Sequence, residues 1–165
     1  MRNMYVYPLV GAIIALFGLC FPVVSTYDGV TLWSWGFYTI EHKSLGYFRI
    51  NNEKEFETVF RLVLSFSFLL FLLMLFSLII IIQISMQMKK NQISMNEAKT
   101  LWGRMSFGFF LFLFMNILSL TSIIVEKKVI YYKIGIILLF LGGFICLVPS
   151  LSELKNIIKG MIQNV

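Results

Sequence analysis

The stretch LVLSFSFLLFLLMLFSLIIIIQISM, residues 62–86, decides the fold class: it runs for 25 residues without Asp, Glu, Lys, Arg or His. A helix on a soluble core carries its apolar residues as a stripe and breaks the run with charge. Here the run is unbroken. About 20 mostly apolar residues suffice to cross a hydrocarbon layer about 30 Å thick, since each helical residue rises 1.5 Å. Three more segments meet that requirement or approach it: YVYPLVGAIIALFGLCFPVV, MSFGFFLFLFMNILSLTSIIV, and the run from Ile134 to Pro149.

Composition agrees. Hydrophobic residues make up 59% of the 165-residue chain and charged residues 13%, where soluble domains carry about a quarter. The expected fold is an all-α membrane protein, a four-transmembrane-helix bundle forming one integral domain over 1–165. Its helices are placed at about 5–24, 59–88, 100–125 and 130–149. An outer loop covers 25–58, and an amphipathic C-terminal helix covers 151–162. The net charge of +6 then belongs to loops at a lipid surface, and no nucleic-acid partner is expected.

The first run exceeds the apolar core of a cleaved signal peptide. Although LFGLC has the outline of a lipoprotein box ending at Cys20, Leu19 stands where a small residue is required. The segment is therefore read as a retained helix. Lys and Arg divide evenly between the two sides, seven on each. Arg2 beside the first helix and the compact basic loop MKKNQISMNEAKTLWGR place both termini in the cytoplasm of a multi-pass cell-membrane protein.

Helix boundaries are also legible. Asn52 with Glu55 has capping-box spacing, and a helix running from there to Lys89 is about 55 Å long, more than a bilayer needs. Ser94 with Glu97 opens the third helix, followed by Met95, Ala98, Trp102 and Met105 at helical spacing. Trp102 and Arg104 suit the interfacial belt. Ser150 with Glu153 forms a third box after Pro149, where the fourth helix should bend or stop.

Little here carries chemistry. His42 is the sole histidine, and the thiols Cys20 and Cys146 fall near opposite ends of the bundle, too far apart for a disulfide. No cluster has metal-ligand spacing, and no nucleophile–base set or phosphate-cradling loop occurs, so neither an enzyme nor a cofactor is expected. Asn116 is the most polar deep residue and reads as an interhelical hydrogen-bonding group. Ser65, Ser67, Ser77, Ser119 and Ser122 read as hydroxyls bonded back to their own helices. Gly11, Ala15 and Gly18, with Gly135, Gly142 and Gly143, let helix backbones approach closely, within the bundle or between subunits.

The outer loop contains TYDGVTLWSWGFYTIEHKSLGYFRI, residues 26–50. Alternation places Trp33, Trp35 and Phe37 on one face of an extended strand, and Gly46 turns the chain toward a partner strand YFRI. Leu32–Trp33, Arg61 at the entry of the second helix and Pro22 near the end of the first resemble the claudin and peripheral-myelin-protein-like four-helix family. The loop lacks cysteine, and the second outer loop, VEKKVIYYK, is short. The resemblance implies cytoplasmic termini, a small extracellular sheet in the first loop, and an adhesive or membrane-organising role. Trp33 is then chiefly structural, docking the sheet on the second helix, and partners are read by the sheet edge and the 41–46 turn. The expected function is non-enzymatic: organising or binding other membrane proteins through the outer loop and helix faces. An accessory subunit of a transporter or channel is the alternative. Besides the bilayer, the expected partners are further copies of the chain or other membrane proteins.

Overall fold

The computed structural model describes residues 4–26, 30–36, 38–40, 53–122 and 130–151. Helix α1 (Val6–Cys20) leads into strands β1 (Pro22–Thr26), β2 (Val30–Trp33) and β3 (Tyr38–Ile40). Helices α2 (Glu53–Lys89) and α3 (Met95–Ser122) follow, then strand β4 (Ile130–Tyr132) and helix α4 (Ile134–Leu147). A 3₁₀ turn at Val148–Ser150 closes the described chain. The four helices form a bundle with a four-stranded antiparallel sheet, order β3-β2-β1-β4, at one end. Two helices, α2 and α3, are long and apolar enough to cross a membrane.

The tightest seam joins α1 to α4. A Cβ on Gly142 would lie 2.5 Å from the Gly11 carbonyl oxygen and 2.6 Å from the Ala15 nitrogen, while one on Gly11 would lie 2.6 Å from the Gly142 oxygen. Gly18 faces the Leu139 backbone in the same way, and Gly135 sits against the Phe21 and Pro22 carbonyls. The Cys146 thiol donates to the Pro8 carbonyl at 3.4 Å. The neighbouring Gly143 faces α3, where the ring of Phe110 fills the space beside it. Phe110 also lies 5.0 Å from Phe144, centroid to centroid.

Helix α1 ends four residues earlier than the 5–24 expectation, at Cys20. Phe21 turns extended (φ −99°, ψ 157°), Pro22 has no N–H to offer, and the β-branched run that follows favours a strand. The fourth helix likewise starts at Ile134 rather than 130. Residues 130–132, expected as helix and outer loop, form β4 and pair with β1, Val24 opposite Tyr132 and Thr26 opposite Ile130. Thus the α1–α4 pair continues directly as a strand pair, locked where the Lys133 N–H donates to the Val23 carbonyl at 2.9 Å.

Helix α2 spans 37 residues, matching the reading from the Glu55 region to Lys89. Helix α3 opens at Ser94, whose hydroxyl accepts from the Glu97 N–H at 3.3 Å. Its buried face, Ala98, Trp102, Ser106, Phe109, Leu113, Asn116 and Leu120, recurs every three or four residues. Trp102 is therefore a core residue rather than a belt residue. Pro149 does interrupt α4, which tightens there into the 3₁₀ turn. The Ser150 hydroxyl donates to the Lys99 carbonyl at 2.9 Å, tying that turn to α3, and Glu153 of the expected capping box lies outside the described residues. Residues 152–162, the expected amphipathic helix, and the 41–46 turn, YFRI and Asn52 lie outside the described residues.

Two glycine substitutions separate seam packing from helix propensity. Gly142→Val should destabilise by about 1–3 kcal/mol through overpacking. Gly108→Ala meets only Phe112, at 3.9 Å, and should be neutral or stabilise by up to about 1 kcal/mol. Thermal unfolding of the purified chain reads both signs.

Candidate functional site at the bundle–sheet junction

The segment Trp33-Ser34-Trp35-Gly36 was expected to continue a strand. It is instead the turn between β2 and β3. The Gly36 N–H donates to the Trp33 carbonyl at 3.1 Å, and Gly36 has φ 80°. With Leu32 opposite Tyr38, this is a hairpin turn that requires a left-handed residue at its close, and glycine supplies it without steric cost. The strict alternation ends at Trp33, leaving Trp33 half-buried at the strand end and Trp35 exposed, and Phe37 lies outside the described residues.

The turn pushes Ser34 into the seam between α2 and α3, where it is fully buried. There the Asn116 side-chain amide donates to two backbone carbonyls, those of Ser34 and Ser67, each at 3.0 Å. One turn along α3, the Ser119 hydroxyl lies 3.1 Å from that of Ser67. Asn116 thus holds three elements, the turn, α2 and α3, through one nitrogen. Ser67 and Ser119, expected to bond back to their own helices, also meet across the two helices. Ser77 does bond back, to the Leu73 carbonyl at 2.9 Å. The sheet therefore docks on the α2–α3 seam rather than on α2 alone. Arg61 lies in the first part of α2, where the structure describes the backbone only.

The other candidate residues take packing positions. Gly11, Ala15, Gly18 and Gly142 all face the α1–α4 seam within the chain, so packing within the bundle occupies this stripe. Cys20 is exposed and Cys146 buried, both free thiols. Among the described residues no three His, Cys, Asp or Glu side chains cluster as metal ligands. The junction offers carbonyls, hydroxyls and one amide, groups that position a turn and carry no proton chemistry at neutral pH.

The sequence reading identified Asn116 but missed Ser34 and the Ser67–Ser119 pair. A serine between two tryptophans gives no burial signal of its own. The Gly36 that follows was the available turn signal. The chain matches no protein-family model, and searches of curated proteins and of solved structures returned no similar protein.

Asn116→Ala removes the donor to two buried carbonyls and should destabilise by about 1–3 kcal/mol, with a shift in tryptophan emission as the turn between Trp33 and Trp35 loosens. Ser119→Ala should cost less than about 1 kcal/mol. Thermal melts with parallel fluorescence spectra distinguish the two.

Proposed function

We propose that the protein is a four-span membrane protein, non-enzymatic, that binds or organises other membrane proteins through the sheet at one end of its bundle. The observation that carries the membrane assignment is an apolar girdle on every helix. Phe17, Phe76, Phe107 and Phe144, one from each helix, are 61%, 62%, 69% and 60% exposed. Only 33% and 28% of the most apolar windows of α2 and α3 are buried, which supports lipid-facing helices over the mostly buried core helices of a soluble domain. Soluble proteins rarely present contiguous apolar surface on this scale. Phe21, Trp35, Tyr131 and Tyr132, all exposed near the sheet, suit the aromatic belt of a bilayer interface.

Helices α1 and α4 are short for full crossings, with 15 and 14 residues. Strands β1 and β4 continue them outward, so the α1–α4 pair reaches the interface through its sheet. With Arg2 and the compact basic loop inside, the sheet faces outward and both termini are cytoplasmic. A sheet seated on the bundle is also what the claudin-like resemblance implies, and with it an adhesive or organising role. Strand β4 is an outer strand of the sheet, with exposed Tyr131 and Tyr132. Such an edge offers backbone hydrogen bonds and aromatic contact area to a partner chain.

Photo-crosslinking from residue 132 in native membranes should give discrete adducts with one recurring membrane protein. A chain that stays monomeric and forms no adduct would sink the organising role. A transporter or channel as the recurring adduct would make the protein its accessory subunit. Impermeant amine labelling of intact cells should modify Lys43 and spare Lys90; the reverse pattern inverts the orientation.

A further inference from the structure

We propose that the end of α2 remote from the sheet binds the phosphate head of an anionic phospholipid, with an acyl chain lying along the same helix. This rests on the membrane assignment above and adds a ligand to it. A groove of about 440 Å³ lies there, lined by Ile82, Gln83, Met86, Gln87, Lys90 and Gln92. Its shape follows from how α2 ends. Asn91 adopts a left-handed conformation (φ 57°), the Asn91 N–H donates to the Met88 carbonyl, and the Gln92 N–H donates to the Gln87 carbonyl, both at 3.0 Å. This Schellman closure turns the chain back on itself and sets Gln92 beside Gln87 and Lys90. Three side-chain amides and an ammonium, all able to donate, therefore share one hollow, and no carboxylate lines it.

The other wall is apolar and continues along the helix. Above Ile82 and Met86, the same face carries Ile79, Phe76 and Leu72 at three- and four-residue steps, all exposed. A donor-lined head pocket opening onto an apolar track matches a phospholipid better than a free anion or a peptide. Charge selects the class. At this end of the bundle the described residues include Lys89, Lys90, Lys99 and Arg104 against a single carboxylate, Glu97. The partial negative charge of the α2 C-terminus, about half an elementary charge, is outweighed by the two adjacent ammoniums. In the orientation given above, this end meets the cytoplasmic leaflet, where anionic lipids concentrate.

The test is native mass spectrometry of the full chain in detergent, titrated with phosphatidylglycerol or with phosphatidylcholine. Phosphatidylglycerol should be retained preferentially. Lys90→Gln should weaken it about fivefold and Lys89→Gln/Lys90→Gln about twenty-five-fold, with Lys133→Gln at the sheet end leaving it unchanged. All three lysines are exposed, and an unchanged melting temperature confirms that each variant folds. Equal retention of the two lipids overturns the proposal, as does a double variant that keeps the preference. Complete displacement by excess inorganic phosphate also overturns it, because the acyl track would then contribute nothing. Alkaline carbonate extraction keeps the two readings apart: a chain released by it is not embedded, whereas an embedded chain without lipid preference loses only the lipid site.

Discussion

Gly11 and Gly142 bring the backbones of α1 and α4 to a separation that any side chain at either position would prevent, and the rest of the architecture is built outward from that approach. Because the helices touch backbone to backbone, they pack closer than the usual 8–10 Å of side-chain-separated helices, and their continuations converge readily to the roughly 4.8 Å spacing of paired strands. Their continuations can therefore hydrogen-bond as β1 and β4 with no intervening loop on either chain. Gly135 completes the transition by letting the first turn of α4 rest on the Phe21 and Pro22 carbonyls. Sheet and bundle are one unit for that reason.

The second attachment is polar. A turn that inserts into an apolar bundle must satisfy its own carbonyls there, since an unpaired buried polar group costs on the order of 1–3 kcal/mol. Asn116 answers for Ser34 and Ser67 together. The far side of the sheet is thus fixed to α2 and α3 while β1 and β4 fix the near side to α1 and α4. The partner surface proposed above would lose less conformational entropy on binding because its scaffold is held at both sides.

Much of this was legible in the sequence, and the gaps have physical causes. The long helices, the Ser94 start of α3, the Pro149 interruption and the small-residue faces follow from local rules of propensity, capping and size. The small residues also showed which helices could approach closely, but not which helix would be the neighbour, because spacing fixes a face and leaves its partner open. Strand β4 was hidden because a three-residue strand carries no periodic signal; β1 recruits it by needing a backbone partner. Trp102 looked interfacial because tryptophan near a charged loop often is, yet it shares a face with Ala98 and Phe109 and so turns inward. At the junction, Asn116 stood out because an amide in an apolar run is conspicuous. Ser34 did not, because its burial depends on a turn that positions it from 82 residues away.

In the bilayer placement proposed above, the same geometry explains why the Ser34 and Ser67 carbonyls at the junction have a side-chain donor. Helix α1 has 15 residues, about 22 Å of rise, against a hydrocarbon thickness of about 30 Å. In that placement the root of the sheet lies near the level where the long helices would still be within lipid, and Asn116 stands six residues before the end of α3. Non-helical backbone is tolerated at that depth only where protein covers it and supplies its hydrogen bonds. Strand pairing supplies them along β1 and β4, and the Asn116 amide supplies one at the turn. An asparagine in the third helix is therefore the counterpart of the short first helix: the bundle can be thin at α1 and α4 because the chain that completes it brings its own partners inward.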